Sequence, residues 1–557
     1  MKRPSSGFAL PTILLIVTVL LIVGLALIQS ASSIRTSVED QYYTRLAKET
    51  AEAGITAANY CLQTNNFIQT WGPDASNPNL SQNTDCDGDT LSPQVSSLHS
   101  GGITRATFSV GDLEVRDDGA IIIVSTGTVD VLRSTGGAVA RTYTSTLKQL
   151  VNWKQFEASV SASGTNKTCA VITSELYCWG ANSVSGGEDF SGQLGDGTFT
   201  DSLTPVKVAQ DTGLLAGKII DAVFSAQYHS CALAAGKVYC WGQNNSGQLG
   251  NGTFTDSNVP VEVGGALSGK IVSDIGGTGD TSCAIAEGKI YCWGENGHGT
   301  VGDNSTTDRN TPTAVNTSSL GASYTATKLS TSGSRSFNMC AIANNGKAYC
   351  WGDNDAGQVG NGTSGSTDVR VPTKVYDGGV LSGKTVTAIS QDGYYTGSPA
   401  WPHVCVVASG KVYCWGENNA GQLGRGNTSD SNVPVAVVGT LSSKVVQDVV
   451  VGLQHSCALA NSRVYCWGDN GAGQLGDDKM GIDRSTPALV SELPGGLQGK
   501  TVTAIGGGAN RGCAIADYRA YCWGLNNNGQ LGDGTQTNRD IPTEAIFLRP
   551  QAPAYIF

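Results

Sequence analysis

The feature that most constrains this chain is a tryptophan-glycine pair that returns seven times, at Trp179, Trp241, Trp293, Trp351, Trp415, Trp467 and Trp523, always 52 to 64 residues apart. Each copy follows the pattern of Cys231-Ala-Leu-Ala-Ala-Gly-Lys-Val-Tyr-Cys240-Trp241-Gly242, with Gln243-Asn-Asn-Ser-Gly-Gln-Leu-Gly-Asn-Gly252 after it. Short apolar alternations split by glycine-rich turns at such a period predict an array of small sheets. None of these sheets can bury both faces without its neighbours.

Every copy carries two cysteines: Cys169 and Cys178, Cys231 and Cys240, Cys283 and Cys292, Cys340 and Cys350, Cys405 and Cys414, Cys457 and Cys466, Cys513 and Cys522. In the second copy Ala235-Gly236 suits a two-residue hairpin turn. Counting outward from it places Cys231 opposite Cys240 as a non-hydrogen-bonded pair. The Cα separation there is about 4.5 Å, within reach of a disulfide. The fourth copy spaces its cysteines one residue wider and has Asn344-Asn345-Gly346 at the tip. A three-residue turn restores the opposition. Reduced core cysteines are the alternative, and zinc fits less well because structural zinc sites favour closer ligand spacing.

These repeats, with the Cys-Ala-Leu and Tyr-Cys-Trp-Gly strands, Asn-x-x-Gly-Gln-Leu-Gly as at Asn244 to Gly250, and a later proline such as Pro260, resemble the regulator-of-chromosome-condensation repeat. The resemblance implies a seven-bladed β-propeller over residues 156–548, followed by a tail, 549–557. The strand at 541–548 is expected to complete the first repeat's sheet and latch the ring.

The N-terminus is of another kind. Met1 to Gly7 is short and basic, and Phe8 to Ile28 runs 21 residues without a charge. That length can cross a bilayer as a helix, with the positive end inside. The leader ending in Gly7, followed by Phe8-Ala-Leu-Pro-Thr12, resembles the type IV prepilin signal. The resemblance implies cleavage after Gly7 by a prepilin peptidase and methylation of Phe8. Thr12 stands where major pilins carry glutamate, which favours a minor pilin. The implied organisation is a leader (1–7), a transmembrane and assembly helix (8–62) and a pilin-like antiparallel β region (63–155). The implied location is the cytoplasmic membrane, C-terminus outside, and then a cell-surface pilus. The fold class expected is therefore mainly β, a propeller preceded by a long helix and a small sheet.

Residues 63–101 read as a loop in which Asn83 to Gly88 imitates half a calcium site without its twelfth-position acid, Gln94 standing there. Cys61 and Cys86 are the remaining cysteines, and a disulfide between them is the simpler account. With all 16 cysteines paired, an oxidising compartment follows.

A net charge of −11 argues against nucleic acid. His229, His403 and His455 each precede a cysteine by two residues and are read as hydrogen-bonding within a blade; His99 and His298 are isolated. No nucleophile, acid pair, metal cluster or cofactor motif stands out, so no enzyme, metal or cofactor is assigned. The candidate sites are where the repeat is interrupted. An insertion within 392–402 brings Tyr394, Tyr395 and Trp401, and one at 183–191 brings Glu188, Asp189 and Phe190. Aromatics on loops the fold does not require suit a binding hot spot. The leading expectation is a minor pilus subunit displaying the propeller as an adhesin for a host or neighbouring-cell protein or glycan, with other pilin subunits as partners. The alternative is a displayed or secreted propeller that binds and inhibits another protein.

Overall fold

The computed structural model describes helical residues between 41 and 51, the strands of residues 80–151, and 159–547 apart from 162–165, 173–174, 184–190, 210–212, 322, 333, 335, 394–401 and 494–495. The chain divides into two compact units, 1–153 and 154–557.

In the first unit, Ile121–Leu132 is the central strand of an antiparallel sheet. It pairs with Ile103–Val110 and Glu114–Val115 on one side and Val139–Val151 on the other, and Leu80–Ser81 extends the first of these. Ala47 and Ala51 are buried, and Tyr43 stacks on Tyr143 of the sheet with ring centroids 5.2 Å apart.

The long transmembrane and assembly helix must be corrected. α-Helical geometry among the described residues is confined to 41–51, and no helix among them is long and apolar enough to cross a membrane. An apolar run reports only that water solvates it poorly; spanning also requires an unbroken helix of about 20 residues. Gly7, Phe8, the run to Ile28, Cys61 and Cys86 lie outside the described residues.

The second unit holds seven four-stranded antiparallel sheets, each built from consecutive strands. These blades span 159–207, 220–262, 272–314, 326–374, 386–436, 446–489 and 502–544. Their first strands contact one another in sequence and the seventh returns to the first, closing the ring.

In blade 2, Cys231, Leu233, Val238 and Cys240 pack with Trp293 of blade 3, while Ala232, Ala234, Tyr239 and Trp241 pack with Leu176 and Leu194 of blade 1. The period-2 alternation of each hairpin thus feeds two interfaces, so the core lies between blades rather than inside them. In blades 2, 3, 5, 6 and 7 the hairpin tips are two-residue turns with both residues at positive φ, as at Ala235 (51°) and Gly236 (72°), the geometry that matches strand twist.

Seven disulfides join the second and third strands of every blade, with Cα atoms 4.1 Å apart. In blade 4 the pair is Cys340–Cys350, directly opposed although ten residues apart.

The expected strand latch is not how the ring closes. Arg539–Glu544 pairs with Arg519–Gly524 of its own blade, and blade 1 has four strands of its own. A terminal strand joins the sheet whose edge it can reach with the right register, and here its own blade offers that edge first. The seam between blades 7 and 1 is instead packed by side chains. Val160, Ala170 and Trp179 meet Cys513, Ile515, Leu531 and Ala545, and Phe547 sets its edge on Tyr177 and Trp179 at centroid distances of 5.2 and 5.9 Å.

Two outcomes follow. Phe547→Ala should lower stability to denaturant by about 1–3 kcal/mol through lost apolar burial and aromatic contact, and an unchanged unfolding midpoint would contradict the seam described. Replacing Cys231 and Cys240 together by Ala should cost about 2–3 kcal/mol in the same measurement, from the entropy that a short covalent loop removes from the unfolded chain.

Candidate functional site

The first-to-second and third-to-fourth connections of a blade both leave from one end of its strands. In blades 2 to 7 the third-to-fourth loop opens with the asparagine of Asn-x-x-Gly, and in blade 1 Asn182 holds that place ahead of the insertion. Asn244 accepts from the Leu249 backbone N–H at 2.9 Å and donates to the carbonyls of Thr253 and Thr255, while its own N–H donates to Asp256 at 2.7 Å. One side chain therefore holds the loop's shape from inside.

The loop then reaches the next blade. The Gln248 carbonyl accepts from the Trp293 indole at 2.9 Å, and a Cβ built on Gly250 would lie 2.6 Å from that ring, so only glycine fits.

Two residues before the first cysteine of each repeat lies a buried polar side chain: Lys167, His229, Thr281, Asn338, His403, His455 and Arg511. Two of the histidines bond across blade boundaries, where the sequence suggests bonds inside a blade. His229 Nε2 meets Ser282 Oγ at 2.7 Å and His403 Nε2 meets Ser456 Oγ at 2.9 Å, each across a blade boundary. Those serines donate onward to the Gln248 and Gln422 carbonyls, so each Oγ accepts from an imidazole N–H and the Nε2–H tautomer is fixed.

In blades 7 and 1 the position becomes cationic. Lys167 Nζ donates to the Gln227 carbonyl of blade 2 at 3.3 Å, and Arg511 donates to the Lys167 carbonyl and to Thr168 Oγ1 at 3.1 Å in blade 1. Burial holds Lys167 well below the usual lysine range and brings Arg511 down to about 9.

The two interruptions spring from this same end on anchored necks. In blade 5, buried Asp392 takes hydrogen bonds from Ser332 Oγ (2.8 Å), Ser334 N–H (3.1 Å) and Gly393 N–H (2.8 Å). Burial raises its carboxyl to about 6. In blade 1, Gly192 N–H closes on the Asn182 carbonyl at 3.1 Å, and Asp201 accepts from Asn182 N–H at 2.7 Å. The candidates carried between these necks, Tyr394, Tyr395 and Trp401 in one and Glu188, Asp189 and Phe190 in the other, lie outside the described residues. Phe199 and Phe254, in the third-to-fourth loops of neighbouring blades 1 and 2, are 42% and 58% exposed. Sequence reading passes over them because Gly-Thr-Phe-Thr-Asp recurs in both repeats and looks like ordinary turn.

A further group escaped notice. Among the described residues, His298 of blade 3 and Asp353 and Asp368 of blade 4 bring three possible ligand atoms within 4.8 Å of one another. Burial, and then the neighbouring Asp355, hold the Asp353 carboxyl above its usual range. The one signal in the sequence is that His298 stands where the second and fourth repeats carry Ser246 and Ala356.

The buried histidines carry a pH consequence. Burial, with the Arg511 guanidinium adding to it, lowers His455 to about 4, against about 6.5 for an unfolded histidine. Between those values the unfolded chain binds a proton that the folded chain refuses, so stability falls as pH drops from about 6.5 to about 4. Asp392 opposes this, its raised carboxyl favouring the fold as pH falls through about 6. Comparison isolates the histidine: His455→Gln should lose less of its stability between pH 7 and pH 4.5 than the unaltered chain, read from urea midpoints. Equal losses would contradict it.

Comparison with known proteins agrees with this geometry. The regulator of chromosome condensation (RCC1) repeat matches residues 235–285, 287–333, 345–396, 409–459, 461–515 and 518–553. A second form of the same repeat matches 220–248 and 446–474. The ultraviolet-B receptor UVR8 of Arabidopsis thaliana is 27% identical over 391 residues, 69% of this chain and 80% of the receptor. The E3 ubiquitin-protein ligase HERC2 of Homo sapiens is 28% identical over 319 residues, 57% of this chain but 6% of the ligase. Of solved structures, human WBSCR16 shares the fold with a TM-score of 0.52 at 21% identity, covering 69% of this chain and 92% of that one. Prp20p of Saccharomyces cerevisiae does so with a TM-score of 0.54 at 19% identity, covering 71% and 89%.

These relatives correct the pilus reading. They are repeat proteins named as receptor and ligase, none of them a pilin, and they favour the alternative of a propeller that binds another protein. With its repeat matched over more than half its length, this chain belongs to the regulator of chromosome condensation (RCC1) repeat family.

Proposed function

We propose that this chain is a non-enzymatic binding propeller, working in an oxidising compartment, that docks another protein on the loop-bearing end of its ring and occludes or holds it there. The observation that carries the reading is that both interruptions of an otherwise regular array leave from one end, on necks fixed by Asp392 and Asp201. A rigid scaffold with variable loops at one end is how binding residues are commonly presented. Phe199 and Phe254 at neighbouring blades add exposed apolar area on loops that start from that end. The seven disulfides support the compartment, since thiols are kept reduced in the cytosol. Among proteins of this fold, yeast Prp20 was solved bound to Kap60, another protein.

The test is proximity cross-linking of the full chain against the extracytoplasmic proteins of the cells that make it, identified by mass spectrometry. A discrete protein partner should be captured. Its yield should fall at least tenfold when Tyr394, Tyr395 and Trp401 become Ala, while the thermal melt stays unchanged. Capture that ignores both these residues and a deletion of 184–190, or binding to glycans alone, would overturn the proposal.

A further inference from the structure

His298 sits on the third-to-fourth loop of blade 3 where that loop crosses to blade 4. Its Nδ1 lies 3.3 Å from Asp368 Oδ1, and the Asp353 carboxylate completes a set of three ligand atoms within 4.8 Å. Two members are oriented by neighbours. The imidazole stacks on Phe337, centroids 4.6 Å apart at 24°; Asp353 accepts from Gln358 Nε2 at 2.8 Å and from the Asp355 N–H at 3.2 Å. Such supporting contacts are what fixes ligands in metal sites.

The trio occurs at one of seven otherwise similar boundaries. The position of His298 is occupied by Ser246, Ala356, Ala420, Ala472 and Asn528 in other repeats, so the repeat does not require an imidazole here. A tetrahedral ion with bonds of about 2.0–2.1 Å has neighbouring ligands about 3.3–3.4 Å apart, which the His298–Asp368 distance meets. The remaining separations, at most 4.8 Å, need the Asp353 carboxylate to close by no more than about 1.4 Å. One imidazole nitrogen with two carboxylates suits zinc or a similar transition ion; calcium and magnesium call for six or more oxygens. His298 and Asp368 are 29% and 21% exposed in their side chains, so an ion can enter from solvent.

We propose that His298, Asp353 and Asp368 form a divalent transition-metal site, suited to Zn2+, that ties the blade 3 loop to blade 4 and leaves a coordination position open to solvent. A fourth ligand would be water or a donor from a bound partner. The site does not depend on the binding function proposed above.

Isothermal titration of the EDTA-dialysed full chain with Zn2+ tests it, with Co2+ absorption reporting the coordination geometry. One equivalent should bind, giving a tetrahedral cobalt spectrum and a raised melting temperature, and Ca2+ should not compete. Asp368→Asn, which keeps shape and leaves the His298 stack in place, should weaken binding at least tenfold, as should His298→Ala. If the chain takes up no saturable Zn2+, or if uptake is unchanged in both variants, the trio is only an ion pair beside a buried acid and the proposal fails.

Discussion

The ring depends on one hydrogen bond made seven times. The indole N–H of each blade's tryptophan donates to a backbone carbonyl in the loop of the preceding blade: Gln530 for Trp179, Gln193 for Trp241, Gln248 for Trp293, Thr300 for Trp351, Gln358 for Trp415, Gln422 for Trp467 and Gln474 for Trp523, all at 2.8–3.0 Å. Each bond contributes only about 1 kcal/mol net, but a fully buried indole without its acceptor would cost more than that. Burying the indole itself contributes about 4–6 kcal/mol before entropy. The apolar gain and the polar satisfaction thus arrive together, and only when the neighbour is present. The glycines of Gln-Leu-Gly belong to the same constraint, because the carbonyl can reach the indole only if nothing projects from Gly250 and its equivalents into the ring.

Because the seventh bond, Trp179 to Gln530, has the same form as the other six, closure needs no exchanged strand. What changes at the seam is the buried polar position. Elsewhere a neutral imidazole, amide or hydroxyl suffices; in blades 7 and 1 Arg511 and Lys167 donate to main-chain carbonyls of the following blades. Buried cations are costly unless fully hydrogen-bonded. Arg511 lies at the one boundary joining distant parts of the sequence and Lys167 at the next, between blades 1 and 2, a placement that suits a device specifying which blade meets which. A histidine could close this boundary as it does others. The longer side chains instead take carbonyls that a blade in the wrong register would leave unpaired.

Much of this was legible in the residues. The period gave the blade count, and the cysteine spacing gave the register of the central hairpin, down to the three-residue turn at Asn344–Gly346. The alternation also placed Cys231 and Trp241 on opposite faces. Interactions between repeats were not legible, because a single repeat does not name its neighbour's contribution. Hence His229 was read as bonding inside its blade although its partner, Ser282, is 53 residues on. The latch failed for a related reason: proline-bearing Ile541–Glu544 reads the same whether it completes the last sheet or the first. His298 and Asp353 lie in different repeats, so no local spacing rule could join them. At the N-terminus an apolar run and a short basic leader carried an inference about assembly that no described residue and no relative supports.

The same division separates structure from function. Residues that recur seven times are consumed by the ring: tryptophan, glycine, asparagine and both cysteines each have a partner that the fold dictates. A repeated residue therefore carries little information about a ligand, because the array needs it whatever the ring binds. Residues that break the pattern have no such obligation. In blade 5 the break is held by Asp392, whose carboxylate is spent on Ser332, Ser334 and the first residue of the insertion. A buried acid at the base of a loop destabilises the sheet unless those bonds form, so it ties the loop's neck to a rigid neighbour. Fixing the neck lowers the entropy lost when the loop meets a partner, which raises affinity without adding contacts.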